Sequence, residues 1–223
     1  MNISRTVLAV AALGVLLGAG RLIVPEYSEV IRPSGNPAGA YLIALQGPQD
    51  FASVGALRSQ LGQLAWCDEL QISGYDRLVG EVATQNVAES CLVLAETVLR
   101  SSPTHSTALL VRAGAMRLQG KPQNSLQDLK LAQVTAPNEG WLAARRLKLT
   151  FALVNVDQAE FDAVALQDVD VLAKDLRYRD ILAELYVANP DRREWFISAL
   201  EGQPDAAVRR FLGQVKKRME AGA

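Results

Sequence analysis

The sequence predicts an all-α fold: a short solenoid of helical hairpins with C-terminal capping helices, preceded by an N-terminal transmembrane or signal helix. Three observations predict it. From Asp50 onward, apolar residues recur at steps of three and four, the spacing of one helix face. No stretch alternates apolar and polar residues between hairpin-turn signals, so strands are not expected. Pro103 and Pro137 stand 34 residues apart, and each closes a helical stretch.

Composition bounds the function. The chain has 223 residues, 49% hydrophobic and 21% charged, with a net charge of −1. That is a globular composition and not a disordered one. Without a strongly basic block, nucleic-acid binding is disfavoured as a primary role, and no nucleic-acid partner is expected. His105 is the single histidine, so one chain has no histidine-based metal cluster. Cys67 and Cys91 are too far apart for a zinc ribbon. No metal or other cofactor is expected.

Residues 1–24 form an N-terminal membrane anchor or signal segment. Thr6 to Gly20 carries no charge and lies between Arg5 and Arg21. Leu22, Ile23 and Val24 extend it before Pro25 stops any helix. As an anchor, residues 6–24 approach the roughly 20 residues that span a bilayer, with Arg21 snorkelling to the interface. As a cleaved signal, Gly18-Ala19-Gly20 would supply the small residues before the cut. No cysteine follows directly, which excludes a lipoprotein anchor. Both of these readings put residues 25–223 outside the cytoplasm; the remaining alternative is a buried apolar N-terminal helix of a cytosolic protein. Outside the cytoplasm, two cysteines and no others suggest a Cys67–Cys91 disulfide; two free buried thiols are the alternative.

Residues 25–50 read as a linker, punctuated by Pro25, Pro33, Pro37 and Pro48 with Gly35, Gly39 and Gly47. Within it, Tyr41 to Leu45 is apolar enough to lie on the domain edge. Residues 51–223 form the helical domain. Phe51, Val54, Leu57, Leu61 and Leu64 mark a first helical face. Tyr75, Leu78, Val79 and Val82 mark a second, after Gly74. Helices are then expected over 87–100, 106–119 and 121–135, with Gly120-Lys121-Pro122 as the turn between the last two. Trp141, Leu142, Ala144, Leu147 and Phe151 define another. Glu160 to Lys174 carries Phe161, Val164, Ala165 and Leu172 inward, with its acidic residues toward solvent. Tyr178, Ile181, Leu182, Leu185 and Tyr186 share a face. Asn189-Pro190 caps the next helix, which holds Trp195, Phe196, Ala199 and Leu200 and ends at Gly202. Pro204 opens the last helix, with an apolar stripe of Val208, Phe211, Leu212, Val215 and Met219. If uncovered, that stripe offers a dimer contact.

Residues 70–155 resemble the tetratricopeptide repeat. Ala113, Gly120, Ala132 and Pro137 stand where that family places its small first-helix residue, turn glycine, late alanine and closing proline. Leu129 fills a large apolar position, whereas Ser125 replaces the usual alanine and Arg112 the usual leucine. The unit at 72–105 matches in part through Cys91 and Pro103, and the unit from Gly140 lacks the closing proline. The resemblance implies stacked hairpins, each covering its neighbour's apolar face. It also implies a concave groove that grips peptides or helices, lined here by Leu110, Arg117, Trp141, Arg145 and Lys148. Such a surface would hold a protein partner, or an anionic glycan through stacking and ion pairing.

No catalytic residue is expected. The chain lacks a nucleophile motif, a phosphate-cradling loop and a Cys-x-x-Cys pair. The acidic set Asp157, Glu160, Asp162, Asp168, Asp170 and Asp175 does not have calcium-loop spacing and reads as a solvated face. The basic pairs Arg145-Arg146, Arg192-Arg193 and Arg209-Arg210 read as surface charge. The expected function is a non-catalytic scaffold in the bacterial inner membrane. Its periplasmic domain would serve cell-envelope or polysaccharide assembly and export. The alternatives are a soluble periplasmic module for glycan or peptide, and an enzyme with an unrecognised site.

Overall fold

A computed structural model of the protein describes residues 37–48, 57–175 and 177–221, together with Gly14. The anchor or signal segment and most of the expected linker lie outside the described residues, apart from Gly14. Among the described residues the chain is all helical, with ten α-helices, two short 3-10 turns and no strand. The helices are α1 Pro37–Ala44, α2 Leu57–Ile72, α3 Glu81–Ser101, α4 Ser106–Leu118 and α5 Pro122–Thr135, then α6 Gly140–Phe151, α7 Gln158–Lys174, α8 Arg179–Ala188, α9 Arg193–Leu200 and α10 Asp205–Ala221. None of them is long and apolar enough to cross a membrane.

Local chemistry sets these boundaries. The His105 Nδ1 accepts the Ala108 N–H at 3.2 Å, so the lone histidine caps α4. The Asp157 carboxylate accepts the Ala159 and Glu160 N–H groups and opens α7 with a negative charge at its positive end. Pro122 occupies the first turn of α5, where its missing N–H costs nothing. Gly120 turns between α4 and α5 at φ +71°, a backbone state that glycine adopts freely.

Helices pack as pairs: the consecutive α2 with α3, α4 with α5 and α6 with α7, and then α8 with α10 across the short α9. The first members form a row in which α2 touches α4, α4 touches α6 and α6 touches α8. Each pair carries a bond between its two helices. A disulfide joins Cys67 to Cys91. Arg112 Nε and Nη2 donate to both carboxylate oxygens of Asp128 at 2.8 and 2.6 Å. Arg146 grips Asp168 in the same two-pronged way. Arg218 reaches Glu184 at 3.5 Å across the last pair. Arg112 and Arg146 stand 34 residues apart, at the same register of successive pairs.

The interior continues from pair to pair. One apolar cluster joins α1 to α4 around Tyr41, Leu64, Leu94 and Leu109. A second fills the space between the α4–α5 and α6–α7 pairs with Leu110, Leu126, Leu129, Leu142 and Leu149. A third joins α6 to α10 around Phe161, Phe196 and Phe211. There, six aromatic rings meet at centroid distances of 5.1 to 5.8 Å, six of the seven contacts edge-on.

The structure departs from the sequence reading at four places. Pro37–Ala44 lies inside the expected linker and is a helix; Pro37 suits the first turn, and the buried Tyr41 donates its hydroxyl to the Leu70 carbonyl at 3.2 Å. After Gly74 the chain makes only a 3-10 turn, Tyr75–Arg77. Gly80 at φ +82° then delays α3 to Glu81, which leaves Leu78 and Val82 exposed. Asp168 and Arg146, expected at the surface, are both fully buried. Asn189 does not cap the next helix with its side chain. Its Nδ2 donates back to the Leu185 carbonyl at 2.7 Å. On α10, Phe211 and Val215 are buried, Val208 is half-buried, and Leu212 and Met219 remain exposed.

Candidate binding cleft

The row α2, α4, α6, α8 decides where an opening exists. Its middle is closed. Arg145 on α6 reaches back to α2, with Nε 3.0 Å from Asp68 Oδ2 and Nη2 2.9 Å from Glu69 Oε2. Those bonds join the two helices that flank α4. Gln71 on α2 donates Nε2 to the Val111 carbonyl of α4 at 3.0 Å. Gly114 permits that approach, because a Cβ there would run into the Gln71 carboxamide. Leu110, expected to line a groove, is fully buried for the same reason: its face of α4 packs into the core between the two pairs.

The row opens at its C-terminal ends, where a cavity of about 290 Å³ is walled by all four helices. Gln71 and Ile72 come from the end of α2, Arg117 from α4, Lys148, Leu149 and Phe151 from α6, and Glu184, Leu185 and Ala188 from α8. Asp76 and Arg77 of the 3-10 turn complete the rim. Four helix C-termini converge here, each worth about half a negative charge. The basic side chains answer that field. Arg117 donates Nη2 to the Gln71 carbonyl at 2.8 Å and lies 3.1 Å from Asp76 Oδ2. Lys148 Nζ donates to Glu184 Oε1 at 2.8 Å. Three cations against two carboxylates, set among four partly negative helix ends, make the cleft close to neutral. Leu149, Phe151 and Leu185 give it an apolar floor.

Two of the expected groove residues, Arg117 and Lys148, therefore meet in one cavity. Trp141 is 42% exposed at the start of α6, the opposite end from the cleft. Arg145 is committed to α2. Asp76, Arg77 and Glu184 escaped the sequence reading; their shared signal is a position in or just after the last turn of a first helix. Among the described residues no group of histidine, cysteine, aspartate or glutamate could hold a metal ion.

Asp68 is a titratable group strongly altered by this architecture. Burial pushes its carboxyl up from 3.8 to about 6; Arg145 pulls it down, and Glu69 alongside pushes it up again. Arg145 is shared with Glu69, so its help does not offset desolvation. Between those two pH values the folded chain holds a proton that the unfolded chain has released. The stabilising contribution is thus complete below pH 4 and is lost as the pH rises through 6. Denaturant melts of the wild type and Asp68→Asn at pH 4 and pH 7.5 check this. The wild type is expected to lose up to about 3 kcal/mol relative to the variant across that interval. Parallel profiles would refute it.

Compared with models of protein families, with characterised proteins and with solved structures, the chain matches none.

Proposed function

We propose that the protein is a non-catalytic scaffold of tetratricopeptide-like build whose cleft holds an extended segment of a protein partner. The observation that carries this reading is the convergence of four helix ends on one open cavity of about 290 Å³. Its floor is apolar and its rim offers carboxylates, cations and carbonyls together. A peptide needs that mixture, because its backbone brings donors and acceptors and its side chains bring apolar surface. An anionic glycan needs an excess of positive charge, which the carboxylates and helix ends cancel here. The protein-partner reading is favoured over the glycan reading on that ground.

In the same reading, residues 6–24 tether the domain to the bacterial inner membrane and the domain faces the periplasm, in the service of envelope or polysaccharide assembly. The charge-free run of residues 6–20 supports the tether. The Cys67–Cys91 bond supports an oxidising compartment.

A photo-crosslinking residue at position 77, which is exposed on the rim, tests the cleft in the living cell. A discrete protein adduct is expected from position 77 and none from position 134 on the outer surface of α5. Ala188→Trp would fill the cleft without disturbing an ion pair. It should cut the adduct at least tenfold and leave the melting temperature nearly unchanged. An adduct indifferent to Ala188→Trp would sink the reading.

A further inference from the structure

The outer face of α1 is the least explained surface of the molecule. Leu42 and Ile43 on this helix of eight residues are 63% and 56% exposed, and Leu45, just past its end, is 51% exposed. α1 also packs against the 3-10 turn and α3. The turn is followed by Leu78, which is 78% exposed, and Val82, the second residue of α3, is 64% exposed. Five large aliphatic side chains thus face solvent at one end of the domain. Isolated exposed aliphatics need no account, but a group of five on adjoining elements does.

The inner side of α1 is fixed. Besides the Tyr41 bond to Leu70, Asn86 Nδ2 donates to the Ala44 carbonyl at 2.7 Å. Burial pushes the Tyr41 phenol up to about 12, with Asp76 adding to the rise and Arg117 opposing it. α1 is therefore part of the domain, and its outward side chains are held outward.

Resting on the tether reading above, we infer that this face lies in the interface of the same bilayer that residues 6–24 enter. Two further observations select a membrane over a protein. No charged residue occurs from Pro33 to Gln49, so nothing on this segment resists the headgroup boundary. Only residues 25–36 separate the apolar run from Pro37. Fully extended, they reach about 40 Å, so the bilayer surface is never far from α1. Docked on this face, the domain would have a fixed attitude to the membrane.

The test uses the full chain in vesicles of phosphatidylethanolamine and phosphatidylglycerol. A single added cysteine, Ile43→Cys, carries an environment-sensitive fluorophore; the natural cysteines are bonded to each other. Val134→Cys, 76% exposed on α5, is the reference. Brominated lipids should quench the label at 43 at least threefold more than the label at 134, with a blue-shifted emission at 43 only. Equal quenching in a chain that floats with the vesicles overturns the inference and leaves the tether standing. A chain that does not float overturns both. A label at 43 that is shielded from water yet unquenched by brominated lipid means that protein covers the face, a second copy or another segment, and overturns the inference too.

Discussion

Arg146→Ala is expected to destabilise the domain by about 3–5 kcal/mol, enough to unfold much of it near 37 °C. The side chain is fully buried, as is its partner Asp168. Arg146 Nη2 donates to Asp168 Oδ1 at 2.6 Å, and its Nε lies 3.0 and 3.1 Å from the two oxygens. Its Nη1 also donates to the Ala136 carbonyl at 3.2 Å, where α5 has just ended. Removing the guanidinium strands a carboxylate in the core and orphans that carbonyl. Burial already pushes the Asp168 carboxyl up, and the Arg146 bonds pull it back. Without Arg146 the carboxyl would have to take a proton or remain as an uncompensated charge.

The pair itself need not favour folding over an apolar substitute, since desolvating both ions offsets their attraction. The double replacement Arg146→Met with Asp168→Leu should therefore recover most of what Arg146→Ala loses. Urea melts of the wild type, both singles and the double supply the cycle. A single variant as stable as the wild type would show that the pair is not desolvated. A double variant no better than the single would show that Arg146 acts through the Ala136 carbonyl and not through Asp168.

The contrast between Arg146 and its neighbours shows what the sequence carries. Helices from Glu81 to Ala221 were legible because their apolar residues keep a helical period along one face, and that period is a local property. The turn at Gly120 and the Cys67–Cys91 pairing were legible for a similar reason: few alternatives existed. The burial of Arg146 was not, because its partner lies 22 residues away on another helix and its immediate neighbours include Arg145, whose side chain is half-buried. One clue did exist. Arg112 and Arg146 repeat at 34 residues, and each meets an aspartate on the following helix. The same limit explains the cleft. Arg117 and Lys148 could be placed on a common row by repeat register alone. That Leu110 would be sealed depends on Leu142 and Leu149 of the next pair packing into the same cluster, a contact between residues more than 30 positions apart. α1 was hidden because Pro37 and Gly39 read as breakers, whereas the bonds that tie it to the domain, Tyr41 to Leu70 and Asn86 to Ala44, join residues 29 and 42 positions apart.

Removing the disulfide should cost about 3 kcal/mol, the second large effect expected here. Cys67 and Cys91 are fully buried, with Cα atoms 5.7 Å apart, and their bond ties α2 to α3. It closes a loop of about 25 residues, so most of the loss arises from the freedom restored to the unfolded chain. Alanine is the appropriate replacement, because serine would bury two hydroxyls among apolar neighbours. The Cys67→Ala/Cys91→Ala variant should melt well below the oxidised wild type. A phosphine reductant should lower the wild type toward the variant and leave the variant unmoved. The position of the bond sharpens the expectation. α2 supplies Asp68, Glu69 and Gln71, which hold the row of first helices together, and α2 also forms one wall of the cleft. Arg146 lies in a different pair and shares no partner with either cysteine, so the two losses should add. The crosslink from position 77 should weaken in the cysteine variant even at temperatures where it remains folded. If stability falls while the crosslink persists, the bond serves the fold alone. If stability does not fall, α2 is secured by Arg145 and Gln71, and the disulfide constrains little that those contacts do not already hold.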